Sequence, residues 1–290
     1  MGLRAMIGLV MTDFLPIGSK ENVKKLYQKL TEARPLSDFI RLAIAPHSIY
    51  TVSKENLVWA KNYAKKENLI LHIHLSETEE EVKNCFKKYK MRPVEYLDKI
   101  NFLGKNCILA HSTWLNNKEI EILARRKCSV VYNPCSNMKL ASGIFSYKKL
   151  KDAGVNIILG TDGAASNNSL DMFLEMKFAS LLQKVKELDP TAAPAKEIFK
   201  IATKNGAKAL KIDAGEIKEG KLADLILVDL NQISLQPGHN LSSDIVYSAT
   251  GNCVSDLICN GKILMRDRKI EEEEKIKKEA TKRAKNLTRS

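Results

Sequence analysis

Along the first 212 residues, apolar and polar positions alternate in two rhythms. Short apolar runs at Leu3–Met11, Arg41–Ala45, Leu69–Leu75, Cys107–Ala110, Ser129–Tyr132 and Asn156–Leu159 predict strands. Charged stretches of helical period lie between them: Glu21–Ala33, Lys54–Glu67, Glu79–Lys88, Lys118–Arg126 and Ser146–Ala153. Two longer helical patterns follow at Leu170–Lys186 and Ala195–Lys211. Strand–helix alternation of this kind predicts a parallel sheet with right-handed crossovers. The expected fold class is α/β, an incomplete TIM-type (β/α)8 barrel with about six of eight strands, the two others belonging at its front.

After Lys211 the texture changes. Gly215 and Gly220 bracket a turn, and short runs follow at Leu222–Leu230, Ile245–Ala249, Val254–Cys259 and Lys262–Met265, the last two joined by Asn260-Gly261. Short strands and tight turns predict an antiparallel unit. The expected division is therefore a catalytic partial barrel over 1–212 and a small β-sandwich-like domain over 213–290, ending in a charged helix.

Four polar residues close apolar runs: His47, His74, His111 and Asp162. Side chains at the C-terminal ends of successive parallel strands converge on one mouth of a β/α barrel. Imidazole and carboxylate gathered there suit a divalent metal such as zinc. Glu77 lies three positions beyond His74, where a strand yields to a helix, and a carboxylate there can relay protons. The competing reading is a core histidine beside a helix-capping acid, with Ser76 and Glu79 forming the cap. Asp162 leads into Gly163, Ala164 and Ala165, which leave room for a ligand. It could instead cap the next helix, a duty Ser169 could also take. His111 could orient a metal-bound water or be satisfied by a neighbouring carboxylate. His47 could contact a substrate or sit in a surface loop. His72 is expected on the face of its strand opposite His74, packed against the outer helices. Trp114 is expected to pack at the rim, and His239 has no role.

Composition narrows the classes. No run approaches the length of a membrane span, and no cleavable leader is evident. Six cysteines without a C-x-x-C pair fit a reduced, cytoplasmic compartment. The formal net charge is +13. Its densest run, Arg266 to Arg289, mixes both signs and reads as a solvated helix rather than a nucleic-acid arm.

The segments APHSIYTVS (45–53), IHLSET (73–78), LAHSTWL (109–115), VVYNPCSNMKLASGI (130–144), GTDGAASNNSLDMFLEMKFASLLQK (160–184) and EGKLADLILVDL (219–230) resemble the amidohydrolase superfamily. Within it they are closest to the S-adenosylhomocysteine / 5′-methylthioadenosine deaminase branch. The resemblance implies hydrolytic deamination of adenosine-type nucleosides with release of ammonia. It implies one Zn2+ per subunit, with Fe2+ or Mn2+ suited to similar ligands. By position, His74 and Asp162 correspond to metal ligands, and Glu77 to the acid that protonates the purine ring. His111 corresponds to the histidine beside the activated water, and His47 and Ser166 to substrate contacts. Glu77, His111 and Asp162 are thus the implied catalytic residues; Glu77 and Asp162 also touch substrate.

Two departures stand out. No H-x-H pair precedes Leu3, where the resemblance places two further metal ligands. The segment GLVMTDFLPIGSK offers only Lys20 after Arg4 for a substrate carboxylate. The alternatives are an amidohydrolase of guanine, cytosine, triazine or aminofutalosine type, or an inactive truncated scaffold. The expected partners are a small nucleoside and another polypeptide, either a second copy or a separate N-terminal segment, with neither nucleic acid nor membrane.

Overall fold

The computed structural model describes residues 2–33 and 39–287. Six strands form one sheet: β1 (Ala5–Met11), β2 (Ile40–Pro46), β3 (Ile70–Leu75), β4 (Cys107–His111), β5 (Ser129–Tyr132) and β6 (Asn156–Leu159). They pair in chain order and all in parallel. Crossover helices make that order possible: α1 (Lys20–Ala33), α2 (Lys54–Lys66), α3 (Glu79–Tyr89), α4 (Pro93–Lys99), α5 (Asn117–Arg126), α6 (Pro134–Lys139) and α7 (Tyr147–Asp152). After β6 come α8 (Ala164–Asn167), α9 (Met172–Glu187), α10 (Ala195–Ala202) and α11 (Lys204–Leu210).

Period two sorts the strand residues onto two faces. Leu42, Ile44, Leu71, Ile73, Leu75, Cys107, Leu109, Val130, Tyr132, Ile157 and Leu159 join the helices in the larger core. The other face is thinner: Ala43, Ile70, Ile108, Val131 and Ile158 form a separate cluster that Ala209, Met6 and Leu210 complete. Arg41 donates to the carbonyls of Leu210 and Lys211 at 3.0 Å each, which ties the end of α11 to the foot of β2. The concave face is therefore plugged at its lower end and polar at its upper end, where the strands' C-termini lie.

Local sequence explains most boundaries. Ser53, Thr78 and Asn116 cap α2, α3 and α5 by accepting a backbone N–H three residues on. Lys90, Lys127 and Leu188 end α3, α5 and α9 in the left-handed region.

Five sequence-based expectations change. The helix at 195–211 is two helices that meet at Thr203. A helix at 93–99 was not expected; Pro93 at its first position starts it. Residues 245–249 form a π-helical turn (Asp244–Ser248) rather than a strand, because Ile245 and Val246 are buried against α9 and α10. The cap of α9 is Asp171, whose carboxylate accepts from the amides of Phe173 and Leu174, and not Ser169. That of α3 is Thr78, not a Ser76–Glu79 pair.

Beyond residue 213, β7 (Leu225–Val228), β8 (Val254–Cys259) and β9 (Lys262–Met265) form an antiparallel sheet. Asn260 and Gly261, both at positive φ, turn β8 into β9. Arg4 donates to Asp224 at 2.6 and 3.2 Å and so binds this sheet to the approach of β1. A three-residue turn, α12 (Leu241–Ser243), precedes the π-helical segment, and α13 (Glu273–Leu287) ends the described chain with no buried residue.

Candidate active site

At the strands' C-terminal ends five side chains meet. His74, near the end of β3, faces His111 at the end of β4 with ring centroids 5.5 Å apart and planes 23° from parallel. His47, just past β2, lies 5.0 Å from the His74 ring. Nε2 of His111 is 3.7 Å from Glu77 Oε2 and 3.9 Å from Asp162 Oδ2. One imidazole thus stands between two carboxylates that are 85 positions apart in the chain, counted from 77 to 162.

Backbone conformation brings them there. Ser76, His111, Ser112 and Asp162 all have positive φ, at 50°, 66°, 48° and 62°. Non-glycine residues adopt this region at a cost of about 1–3 kcal/mol each, and it recurs at functional sites. By strand parity His111 should share the helix-facing side of Cys107 and Leu109. The left-handed step at residue 111 redirects the ring into the mouth, where it is almost fully enclosed.

Hydrogen bonds then set each group's state. His74 donates from Nδ1 to the His47 carbonyl at 2.7 Å, which leaves Nε2 as a free acceptor. His111 does the same from Nδ1 to Asn137 Oδ1 at 2.9 Å. Asp162 accepts from Ser136 Oγ at 2.7 Å and from the Gly163 amide at 2.6 Å. Burial pushes its carboxyl up, but those two bonds and the nearby His111 and His74 hold it below the usual carboxylate range. Burial, then the neighbouring His74, lowers the His47 imidazole, against a weaker pull upward from Glu77.

Glu77 accepts from Ser142 Oγ at 3.1 Å. The Ser142 carbonyl in turn accepts from Trp114 Nε1 at 2.5 Å, so the expected rim tryptophan braces the loop that holds the acid. Beneath Asp162, buried Glu175 accepts from Asn167 Nδ2 at 2.6 Å and from the Cys135 amide at 3.3 Å. Asn167 also donates to the Thr161 carbonyl at 2.6 Å. Ser166 lies in α8, the single turn that follows Asp162. A cavity of about 380 Å³ opens beside Glu77 and is lined by Tyr50, Glu81 and Tyr89 among others.

The expectation for His72 was wrong. Residues two apart in a strand share a face, so His72 lies under His74 with ring centroids 5.9 Å apart. Burial, followed by His74 and His111, pushes its pKa down to about 4. Residue-by-residue reading of the sequence also passed over Ser136, Asn137 and Ser142. Their signal was a run of small polar residues directly after an apolar strand, with no helical apolar period to give them a packing role.

His74 and Asp162 suit a divalent cation in kind: one offers a neutral imidazole nitrogen, the other an ionised carboxylate. They fall short in number. Among the described residues no group of three or more His, Cys, Asp or Glu side chains is arranged to hold a metal ion.

The sequence profile of the Amidohydrolase family matches residues 1–264. The chain belongs to the amidohydrolase family. It is 49% identical over 269 residues to a 5-methylthioadenosine/S-adenosylhomocysteine deaminase of Thermococcus sibiricus, covering 91% of this chain and 63% of that one. It is also 49% identical over 278 residues to a 5′-deoxyadenosine deaminase of Methanothermobacter thermautotrophicus, covering 93% and 64%. A zinc-bound adenosine deaminase from Xanthomonas campestris superposes with a TM-score of 0.92 at 36% identity, covering 98% of this amidohydrolase and 65% of its own chain. The chain therefore spans just under two thirds of the length of these relatives. Among the described residues no helix is long and apolar enough to cross a membrane.

Proposed function

We propose that this amidohydrolase chain carries the greater part of a hydrolytic deaminase site for adenosine-type nucleosides. The observation that carries the reading is His111 Nε2 standing 3.7 Å from Glu77 and 3.9 Å from Asp162. Near relatives named for deamination of 5′-deoxyadenosine, 5′-methylthioadenosine and S-adenosylhomocysteine support the substrate class.

In this reading Glu77 donates a proton to a ring nitrogen and makes the neighbouring carbon electrophilic. Ser142, bonded to its other oxygen, holds it in place. Asp162, kept ionised, accepts one proton from the attacking water and passes it to the departing amine, so that ammonia leaves while the new hydroxyl returns its proton to Glu77 and becomes the carbonyl. His111, its Nδ1 proton committed to Asn137, offers Nε2 as an acceptor between the two acids. His47 and Ser166 flank the ring as substrate contacts. His74 and Asp162 would hold a divalent cation, zinc first among candidates, which when bound supplies an activated water near neutral pH. Two ligands are fewer than the three or four such a site needs, so no step is assigned to the cation here.

Six free cysteines support a reducing, cytoplasmic compartment. Exposed Ile7, Val10, Phe14, Leu15 and Ile17, on and just beyond β1, support association with another polypeptide, a second copy or a further segment.

Ammonia release from 5′-deoxyadenosine, 5′-methylthioadenosine and S-adenosylhomocysteine, with guanine as the contrasting free base, tests the reading. Turnover of the nucleosides is expected, falling roughly 10²–10⁴-fold in Glu77→Gln and Asp162→Asn. Turnover confined to guanine would overturn the substrate class. A Glu77→Gln variant at the parent rate would remove Glu77 from the chemistry.

A further inference from the structure

Three consecutive helices carry a glutamate at their third position: Glu81 in α3, Glu95 in α4 and Glu119 in α5. In a capping box that glutamate accepts from the amide of the cap residue itself. Glu95 does so, bonding the amide of Arg92 at 3.0 Å, and Glu119 bonds that of Asn116 at 3.1 Å. Glu81 does not. Its cap residue is Thr78, whose hydroxyl accepts from the Glu81 amide at 3.2 Å. The Glu81 carboxylate passes over Thr78 and reaches further back, with Oε1 on the Ser76 amide at 2.9 Å and Oε2 on the Glu77 amide at 2.8 Å.

Those amides belong to the step where β3 ends and Ser76 takes a left-handed conformation. The direction in which the Glu77 side chain leaves the backbone is set at that step. Glu81 is itself buried, in the wall of the cavity beside Glu77. A helix needing only a cap would be served by Thr78, as α2 is served by Ser53. A buried carboxylate with both oxygens committed to two successive amides is a costlier arrangement than that.

We propose that Glu81 is the positioning residue for Glu77: by closing on the amides of Ser76 and Glu77 it aims the Glu77 carboxylate at Ser142 and His111. The proposal rests on the reading of Glu77 as proton donor. Glutamine at 81 offers one carbonyl oxygen and sets an NH₂ group against the second amide, so the isostere should loosen the step without emptying space.

NMR on the unmutated chain should detect couplings across both hydrogen bonds, from the Glu81 carboxyl carbon to the amide nitrogens of Ser76 and Glu77. In Glu81→Gln, amide exchange at those two residues should rise tenfold or more relative to Leu75 and Val82. With 5′-deoxyadenosine, Glu81→Gln should lower kcat at least tenfold with KM within twofold. The ordinary capping-box variant Glu95→Gln should leave kcat within twofold. Absent couplings would overturn the proposal whether or not the variant folds, and so would a Glu81→Gln kcat equal to that of the parent. If the unmutated chain deaminates no nucleoside, the deaminase reading falls, and the couplings still decide the anchor.

Discussion

His111 shows how much a single residue's backbone can decide. Its strand parity directs the ring toward the helices, yet a φ of 66° turns it into the mouth between Glu77 and Asp162. Glu81 is the other residue whose environment matters most. Burial, then the negative charges of Glu77 and Glu119, pushes its carboxyl up to about 7, although two amides pull the other way. Its unfolded value is 4.5, so between pH 4.5 and 7 the folded chain keeps a proton that the unfolded chain has released. This stabilisation is fully present below pH 4.5 and is lost as pH rises through 7, by roughly 3 kcal/mol in all. Urea midpoints measured across that range should therefore fall more steeply for the parent than for Glu81→Gln. Parallel curves would show that the carboxyl titrates alike in both states.

At the scale of elements, the segment after β5, made of α6 and the loop that follows it, does more than connect. It supplies Ser136 to Asp162, Asn137 to His111 and Ser142 to Glu77. Gly143 lets it close against β4's exit. Its φ is 125°, and a Cβ there would stand 2.9 Å from Trp114 Nε1 and 3.1 Å from Thr113. We expect Gly143→Ala to cost about 1–3 kcal/mol by strain and displacement of the indole. Denaturation followed by tryptophan fluorescence should report both, and an unchanged midpoint with an unchanged spectrum would refute it. The entrance to α5 is braced in the same way. Buried Glu119 accepts from Arg92 at 2.6 Å and from the Val94 amide at 3.2 Å, and Arg92 donates onward to the Trp114 carbonyl at 2.6 Å.

Across the whole molecule the sheet has a strong side and a weak one. Its helix-facing surface is continuous apolar core, whereas β1 pairs only with β2 among the described residues and leaves Ile7 and Val10 exposed. A parallel strand with an open, apolar edge is a template for further pairing. Sedimentation velocity should show concentration-dependent self-association of the chain, reduced by Val10→Lys. A monomer at all concentrations would rule out that role for the edge. The small antiparallel sheet is tied to the same region through Arg4 and Asp224.

Most strands and helices could be read from the sequence, because apolar period depends on local chemistry and each run here is regular. The turn at Asn260-Gly261 was legible for the same reason. Residues 245–249 were not, since an apolar pentapeptide suits a strand or a buried turn equally and only packing against α9 and α10 chose. Strand ends named His47, His74, His111 and Asp162 as neighbours before any contact was known. The sequence alone could not say which way His111 points or that Glu81 skips its own cap to hold Ser76 and Glu77. Those depend on left-handed steps and on buried polar groups finding partners far along the chain, and such choices are made only when the whole structure assembles.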